Sequence, residues 1–235
     1  MNKNQRRGLL FTLGYIAFAV VMWSIPMLRS CVYDADVKLA YFFNRFITQS
    51  TLSQNIWAFL NTRTVDVIHD FVMLAFLIPY IFFWKEKDRK TRGLEILFLI
   101  IFTIACNLFW NRFMAQKVFD FGRMSPSGVL PDLLNINHVI SWTKIRNFSY
   151  ASFPGDHGST IFMFIITIFY LLGYRMGLLA LLTSFPFLLP RLVVSGHWFS
   201  DIFLGSVPLA LFNLGWLFHT PLFKPGINKL TFSKQ

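Results

Sequence analysis

An all-α integral membrane protein, a bundle of six transmembrane helices with both termini cytoplasmic, is the fold class this sequence predicts. Three observations predict it. Of 235 residues, 55% are hydrophobic and only 14% charged, with a mean hydropathy of +0.52, a profile outside that of soluble cores. The apolar residues collect into stretches near the roughly 20 residues that a bilayer crossing needs. The basic residues divide unevenly among the loops between those stretches.

The spans fall at about 8–28, 65–84, 93–110, 157–173, 176–191 and 201–218, within one domain covering 1–235. Lys3, Arg6 and Arg7 precede the first. No small-residue cleavage site follows Trp23 to Pro26, so it reads as an uncleaved span rather than a signal peptide. From Arg29 to Arg63 the chain is mixed and polar, with Asp34, Asp36, Lys38 and Arg45, which predicts a loop or a short surface helix. The second span carries Asp66, His69 and Asp70 in its first turns. Acids suit a helix start, and ionisable groups in a span are also candidates for function. KEKDRKTR, residues 85–92, is a short charged loop. Residues 111–158 form a long loop with Pro126, Pro131 and Pro154; a loop of that length is functional or disordered, and its aromatic content favours function. Arg175 marks a tight turn between the fourth and fifth spans. The tail from Thr220 is basic, and no internal repeat is visible.

Charge on the short loops orients the bundle. Lys3, Arg6, Arg7, the basic residues of 85–92, Arg175, Lys224, Lys229 and Lys234 share one side, which marks it as cytoplasmic. Loops 29–64, 111–158 and 191–201 then open outward. The net charge of +11 forms no continuous basic stripe, so an anionic lipid surface and an anionic substrate explain it better than nucleic acid. Cys31 and Cys106 lie far apart and read as free thiols. A transporter using ionisable groups would place them mid-helix and show repeat symmetry; here they cluster at helix ends.

Three stretches on the outward side carry chemistry. The first, RLVVSGHWFSD, places Arg191, His197 and Asp201 between two apolar runs. His197 and Asp201, four apart, share a face of a helical turn, where the carboxylate can set the ring tautomer and strengthen a nucleophile. A polar cap with Arg191 snorkelling to headgroups is the alternative. The second, SFPGDHGS, sets Gly155, Asp156 and His157 at a helix start, a geometry that suits a phosphate and places His157 as a general acid; a hydrogen-bonded helix entry is the alternative. In the third, KVFDFGRMSP, Lys117 and Arg123 can clamp phosphate oxygens or serve as interfacial anchors. A serine nucleophile at 152 or 195 would need a deeply placed base. No Cys/His cluster has metal-ligand spacing, so neither metal nor cofactor is expected. Trp142, Trp198 and Trp216 read as interface anchors, Tyr150 and Trp198 as candidates for the mouth of a lipid groove, and His138 and His219 as structural.

Arg191-x5-His197-x3-Asp201, preceded by Pro154-Gly155-Asp156-His157 and by Lys117 and Arg123, resembles the three-part signature of the type-2 phosphatidic acid phosphatase superfamily. The resemblance implies double displacement: His197 attacks phosphorus, Asp201 orients its ring, and His157 protonates the leaving group. Arg123, Arg191, Lys117 and the amides of Gly155 and Asp156 hold the phosphoryl oxygens. Two departures stand out. Pro-Gly-Asp-His replaces the usual Pro-Ser-Gly-His, and five residues rather than six separate Lys117 from Arg123. SFPGDHG, PR-x5-HWF-x-DI-x2-GS and R-x-SP are similar to the lipid A 1-diphosphate synthase branch. That branch implies an inner-membrane enzyme moving phosphate from undecaprenyl diphosphate to lipid A on the periplasmic face, with Arg63 and Asp66 helping to hold the acceptor. A phosphatase passing phosphate to water shares the first half-reaction and stays open.

Overall fold

A computed structural model describes residues 3–84, 88–118 and 122–219 of the protein. Part of the charged loop (85–87), residues 119–121 of the third stretch and the basic tail from Thr220 lie outside the described residues. Every regular element among the described residues is helical. In order they are α1 (Lys3–Ser24), α2 (Pro26–Thr48), α3 (Thr51–Leu60), α4 (Arg63–Phe83) and α5 (Arg89–Asn107), which runs on as wide π turns over Leu108–Val118. Then come α6 (Pro126–Val129), α7 (Asp156–Ser184), α8 (Leu189–Val193) and α9 (Asp201–His219), which alternates π and α turns.

Five stretches are long and apolar enough to cross a membrane: Gln5–Ser24, Arg63–Phe83, Arg89–Val118, Asp156–Val193 and Asp201–His219. Large apolar side chains such as Phe11, Phe71, Phe83 and Ile101 point outward from the first three, as lipid-facing residues do. The α5 start is capped by Asp88, whose carboxylate accepts from the Thr91 hydroxyl (2.5 Å) and N–H (2.9 Å). Those bonds hold its pKa below the usual carboxylate range.

The stretch Asp156–Val193 is not one rod. Gly173 has φ 80° and ψ −176°, a region open to glycine. Arg191 lies 3.1 Å from His157, 34 residues earlier; an unbroken helix would separate them by about 50 Å at 1.5 Å per residue. The chain therefore folds back at Gly173, two residues before the turn that Arg175 marks in the sequence. Ile161, Phe164, Ile165 and Ile168 of the first arm pack with Ala180, Leu188 and Leu192 of the second and with Phe76, Leu77 and Tyr80 of α4. Inside a bilayer such packing, rather than transfer from water, holds helices together.

The region from Arg29 to Arg63 departs from expectation. It is not a loop or a short helix but the 23-residue α2 followed by α3. The buried residues of α2 are Asp36, Ala40, Asn44 and Ile47, one stripe at helical spacing. Two of the four are polar, so hydropathy reads the stripe as surface when it is an anchor. Asn44 exchanges two hydrogen bonds with the Leu134 backbone, at 2.9 and 3.1 Å. Ile47, Ala58, Ile136, Ile140, Ile145, Val193 and Val194 form a separate small core, so the long loop is a folded cap over one end of the bundle.

Gly158 and Ser206 fix how α7 meets α9. A Cβ on Gly158 would stand 2.5 Å from the Ser206 Oγ and 2.9 Å from its Cβ. Gly158→Ala should therefore destabilise the protein by about 1–3 kcal/mol through overpacking. Gly14→Ala, with nothing within 4 Å of the new methyl, should be neutral or gain up to about 1 kcal/mol. Thermal unfolding of both variants in one detergent checks the contrast.

Candidate active site

Helix α8 ends in a cap that turns the chain back on itself. The Gly196 N–H donates to the Arg191 carbonyl at 2.9 Å and the Ser195 N–H to the Leu192 carbonyl at 3.0 Å. Ser195, at φ 62°, fills the left-handed position where glycine is usual. That conformation costs a non-glycine residue about 1–2 kcal/mol; the Ser195 Oγ offsets part of it by accepting from Asn44 Nδ2 at 3.3 Å. The turn delivers His197 beside Arg191, with the His197 N–H also bonded to the Arg191 carbonyl at 3.3 Å.

The His197 ring is held from behind. Its Nδ1 lies 3.0 Å from the Ser152 carbonyl and 3.5 Å from Asp201 Oδ2. A carbonyl only accepts, so Nδ1 carries the proton and Nε2 keeps its lone pair. Asp201 is fully buried and accepts from the Trp198 N–H at 2.9 Å and from Arg123 at 2.6 Å. Arg123 also donates to Ser200 Oγ at 2.7 Å and to Asp36 at 2.5 Å, while Asp36 accepts from the Ser200 N–H at 2.9 Å. The Arg123 carbonyl in turn accepts from the N–H and hydroxyl of Ser152, at 2.8 and 3.1 Å. Both supports of the ring, carboxylate and carbonyl, thus trace back to Arg123. Two buried carboxylates against one guanidinium leave a surplus negative charge, which an imidazolium at position 197 would balance.

His157 faces the same space. Its Nδ1 is 3.1 Å from Asp156 Oδ1, and its Nε2 is 3.1 Å from Arg191 Nη2 and 3.6 Å from Asp66 Oδ2. Arg191 forks onto both Asp66 oxygens at 3.1 and 3.2 Å and donates to Asn61 Oδ1. The Gly155 carbonyl accepts from the hydroxyls of Ser159 (2.9 Å) and Ser206 (2.7 Å), and Gly155 packs against the His197 ring. The start of α7, which carries His157, is thereby tied to α9.

A cavity of about 320 Å³ opens over these groups, and both rings line it together with Asp156, Arg191 and Gly196. Arg123 and Lys117 do not. Arg123 is turned into the protein, and Lys117 is exposed at the end of the π turns. Their place on the wall is taken by Asn111, Arg112 and Gln116 from those turns and by Arg146 from the cap. Along the π turns 111, 112 and 116 reach the cavity wall and Lys117 does not. Gln116 is the residue with six others between it and Arg123; that count was the available signal. Asp36, Arg112 and Arg146 had none. Trp198 is 1% exposed, with its indole N–H on the Met124 carbonyl at 2.7 Å, so it is a core residue rather than an interface anchor or groove lining. Ser152 and Ser195 are buried and engaged. Among the described residues no group of three or more His, Cys, Asp or Glu is arranged to hold a metal ion.

A second cavity adjoins the first, sharing Asn111, Arg112, Asp156 and His157. A third, almost wholly apolar, continues it between α4, α5 and α7 by way of Asp70, Met73, Thr103, Ile104 and Thr160.

No family model matches the chain, and no solved structure matches it. A curated relative does: lipid A 1-diphosphate synthase of Escherichia coli (strain K12) is 30% identical over 201 residues, which covers 85% of this chain and 82% of the relative.

Removing one member of a buried ion cluster strands the others. Asp36→Ala should cost about 3–5 kcal/mol, whereas Arg112→Ala on the cavity wall should stay within about 0.5 kcal/mol. Unfolding midpoints in detergent separate the two.

Proposed function

The chain belongs to the lipid A 1-diphosphate synthase branch of the type-2 phosphatidic acid phosphatase superfamily, and from that premise we propose that it transfers a phosphate from undecaprenyl diphosphate to the 1-phosphate of lipid A at the periplasmic face of the inner membrane. It is a membrane enzyme of the lipid phosphatase and phosphotransferase type. The observation that carries the finer reading is that the rings of His157 and His197 line one cavity with Arg191.

The steps follow from the supports. His197 Nε2 attacks the terminal phosphorus, and the bond to the bridging oxygen breaks. Once Arg191, which donates to His157 Nε2, turns to the phosphate, His157 can carry a proton on Nε2 and give it to the departing lipid phosphate, with Asp156 and Asp66 balancing the ring's charge. The N-phosphorylated His197 ring keeps its Nδ1 proton and is cationic; the surplus charge of the Asp36–Arg123–Asp201 cluster sits behind it. Arg191 and the amides of Gly155 and Asp156 at the α7 start hold the phosphoryl oxygens. A 1-phosphate oxygen of lipid A then attacks phosphorus, His157 takes up any proton it carries, and His197 is released. Arg123 is a positioning residue in this scheme, acting through Asp201 and Ser152, and Lys117 stands outside the clamp. Asp66 and Asn61 aim Arg191.

The same reading gives six crossings in one domain. Four of the apolar stretches cross once and Asp156–Val193 crosses twice, by its reversal at Gly173. An even count puts both termini on one side, and the loop charges make that side cytoplasmic.

Purified protein incubated with undecaprenyl diphosphate, with and without lipid A, tests the proposal. Doubly phosphorylated lipid A is expected; free phosphate alone in both mixtures overturns the acceptor and leaves a phosphatase. His197→Ala should abolish transfer and release alike while still inserting, and full activity in that variant overturns the nucleophile.

A further inference from the structure

Arg191 and Arg123 already have carboxylate partners, at Asp66 and at Asp36 with Asp201. A diphosphate brings about three negative charges into the cavity, and Arg191 answers at most one of them. Two other arginines line that cavity, Arg112 and Arg146, and neither makes an ion pair or side-chain hydrogen bond among the described residues. They are not equivalent. Arg146 stands on the catalytic cavity alone, whereas Arg112 lines both this cavity and the second one, as His157 does.

That shared wall has a direction. In-line displacement puts the leaving group opposite the attacking nitrogen, so with His197 as nucleophile the leaving group departs on the side of its proton donor, His157. Beyond His157 the space continues into the apolar groove between α4 and α5, whose lining suits a hydrocarbon chain. A donor seated with its terminal phosphate on His197 and its chain toward that groove carries its second phosphate past Arg112.

We infer that Arg112 is the residue that reads the second, untransferred phosphate of the donor, and so selects diphosphate over monophosphate lipids. The inference rests on the proposed function and adds the identity of the leaving-group contact. Arg112 reaches this position along the π turns that begin at Leu108; its exposed side chain can swing to a ligand with no partner among the described residues to abandon.

Equilibrium binding measures this without turnover. Full-length protein carrying His197→Ala is titrated with farnesyl diphosphate and with farnesyl phosphate, which share one chain. The diphosphate should bind at least about tenfold tighter. Adding Arg112→Ala should weaken the diphosphate by about tenfold to hundredfold, the range for a charge-assisted contact, and change the monophosphate by less than about threefold. Arg112→Lys should recover part of the loss, since it keeps the charge but not the fork. Equal weakening of both lipids, no weakening of either, or no binding of either to the parent protein overturns the inference. A terminally labelled diphosphate given to the protein with His197 intact separates the two failures. Label on His197 without discrimination by Arg112 sinks only the present inference, whereas failure to label or transfer sinks the reading beneath it.

Discussion

The buried contact of Arg123 with Asp36 and Asp201 is the constraint on which the rest of the site depends. It draws α2, the stretch before α6 and the start of α9 to one point. Its energetic return is small, because taking three charges out of water costs nearly what their attraction gives back. What it supplies is aim. The guanidinium fixes Asp201, the same residue's carbonyl fixes Ser152, and between them the imidazole at 197 has one tautomer and one direction. Trp23 and Trp198 flank the guanidinium, with ring centroids 5.2 and 4.9 Å from it, and keep it from turning outward.

A second constraint works on the other histidine. Arg191 is held by Asn61 and Asp66, which come from the junction of α3 and α4. His157 is held through Asp156 and the α7 start. Asn61 and Asp66 lie 130 and 125 residues from Arg191, and His157 lies 34 residues from it; the reversal at Gly173 together with the Ser195 turn closes the distance. The cavity wall is therefore a product of two chain reversals, each set by one residue in an unusual backbone conformation.

The apolar stretches were plain in the sequence because lipid imposes length and composition on any helix that crosses it. Two histidines, Arg191 and Asp201 were plain as well, because ionisable groups between apolar runs demand a reason. Asp36 and Asn44 were hidden for the opposite cause: a polar residue in a mixed segment looks solvated until its partner is known, and the partners lie 87 and 90 residues away. Arg112 and Gln116 were hidden by helix geometry. Lys117 is picked out by its place in the motif, whereas the π turns put Gln116 on the cavity wall. Arg123 reads as a ligand to phosphate because it shares an outward loop with Lys117 and matches the family signature, and only the fold shows two carboxylates already upon it.

Both histidines hang from the same end of the bundle because the arms of Asp156–Val193 begin and finish there. Under the proposed function, such a catalyst works on one leaflet and is blind to the other. Its output then has a ceiling it does not control: the rate at which other machinery turns fresh donor and acceptor across the bilayer to be met.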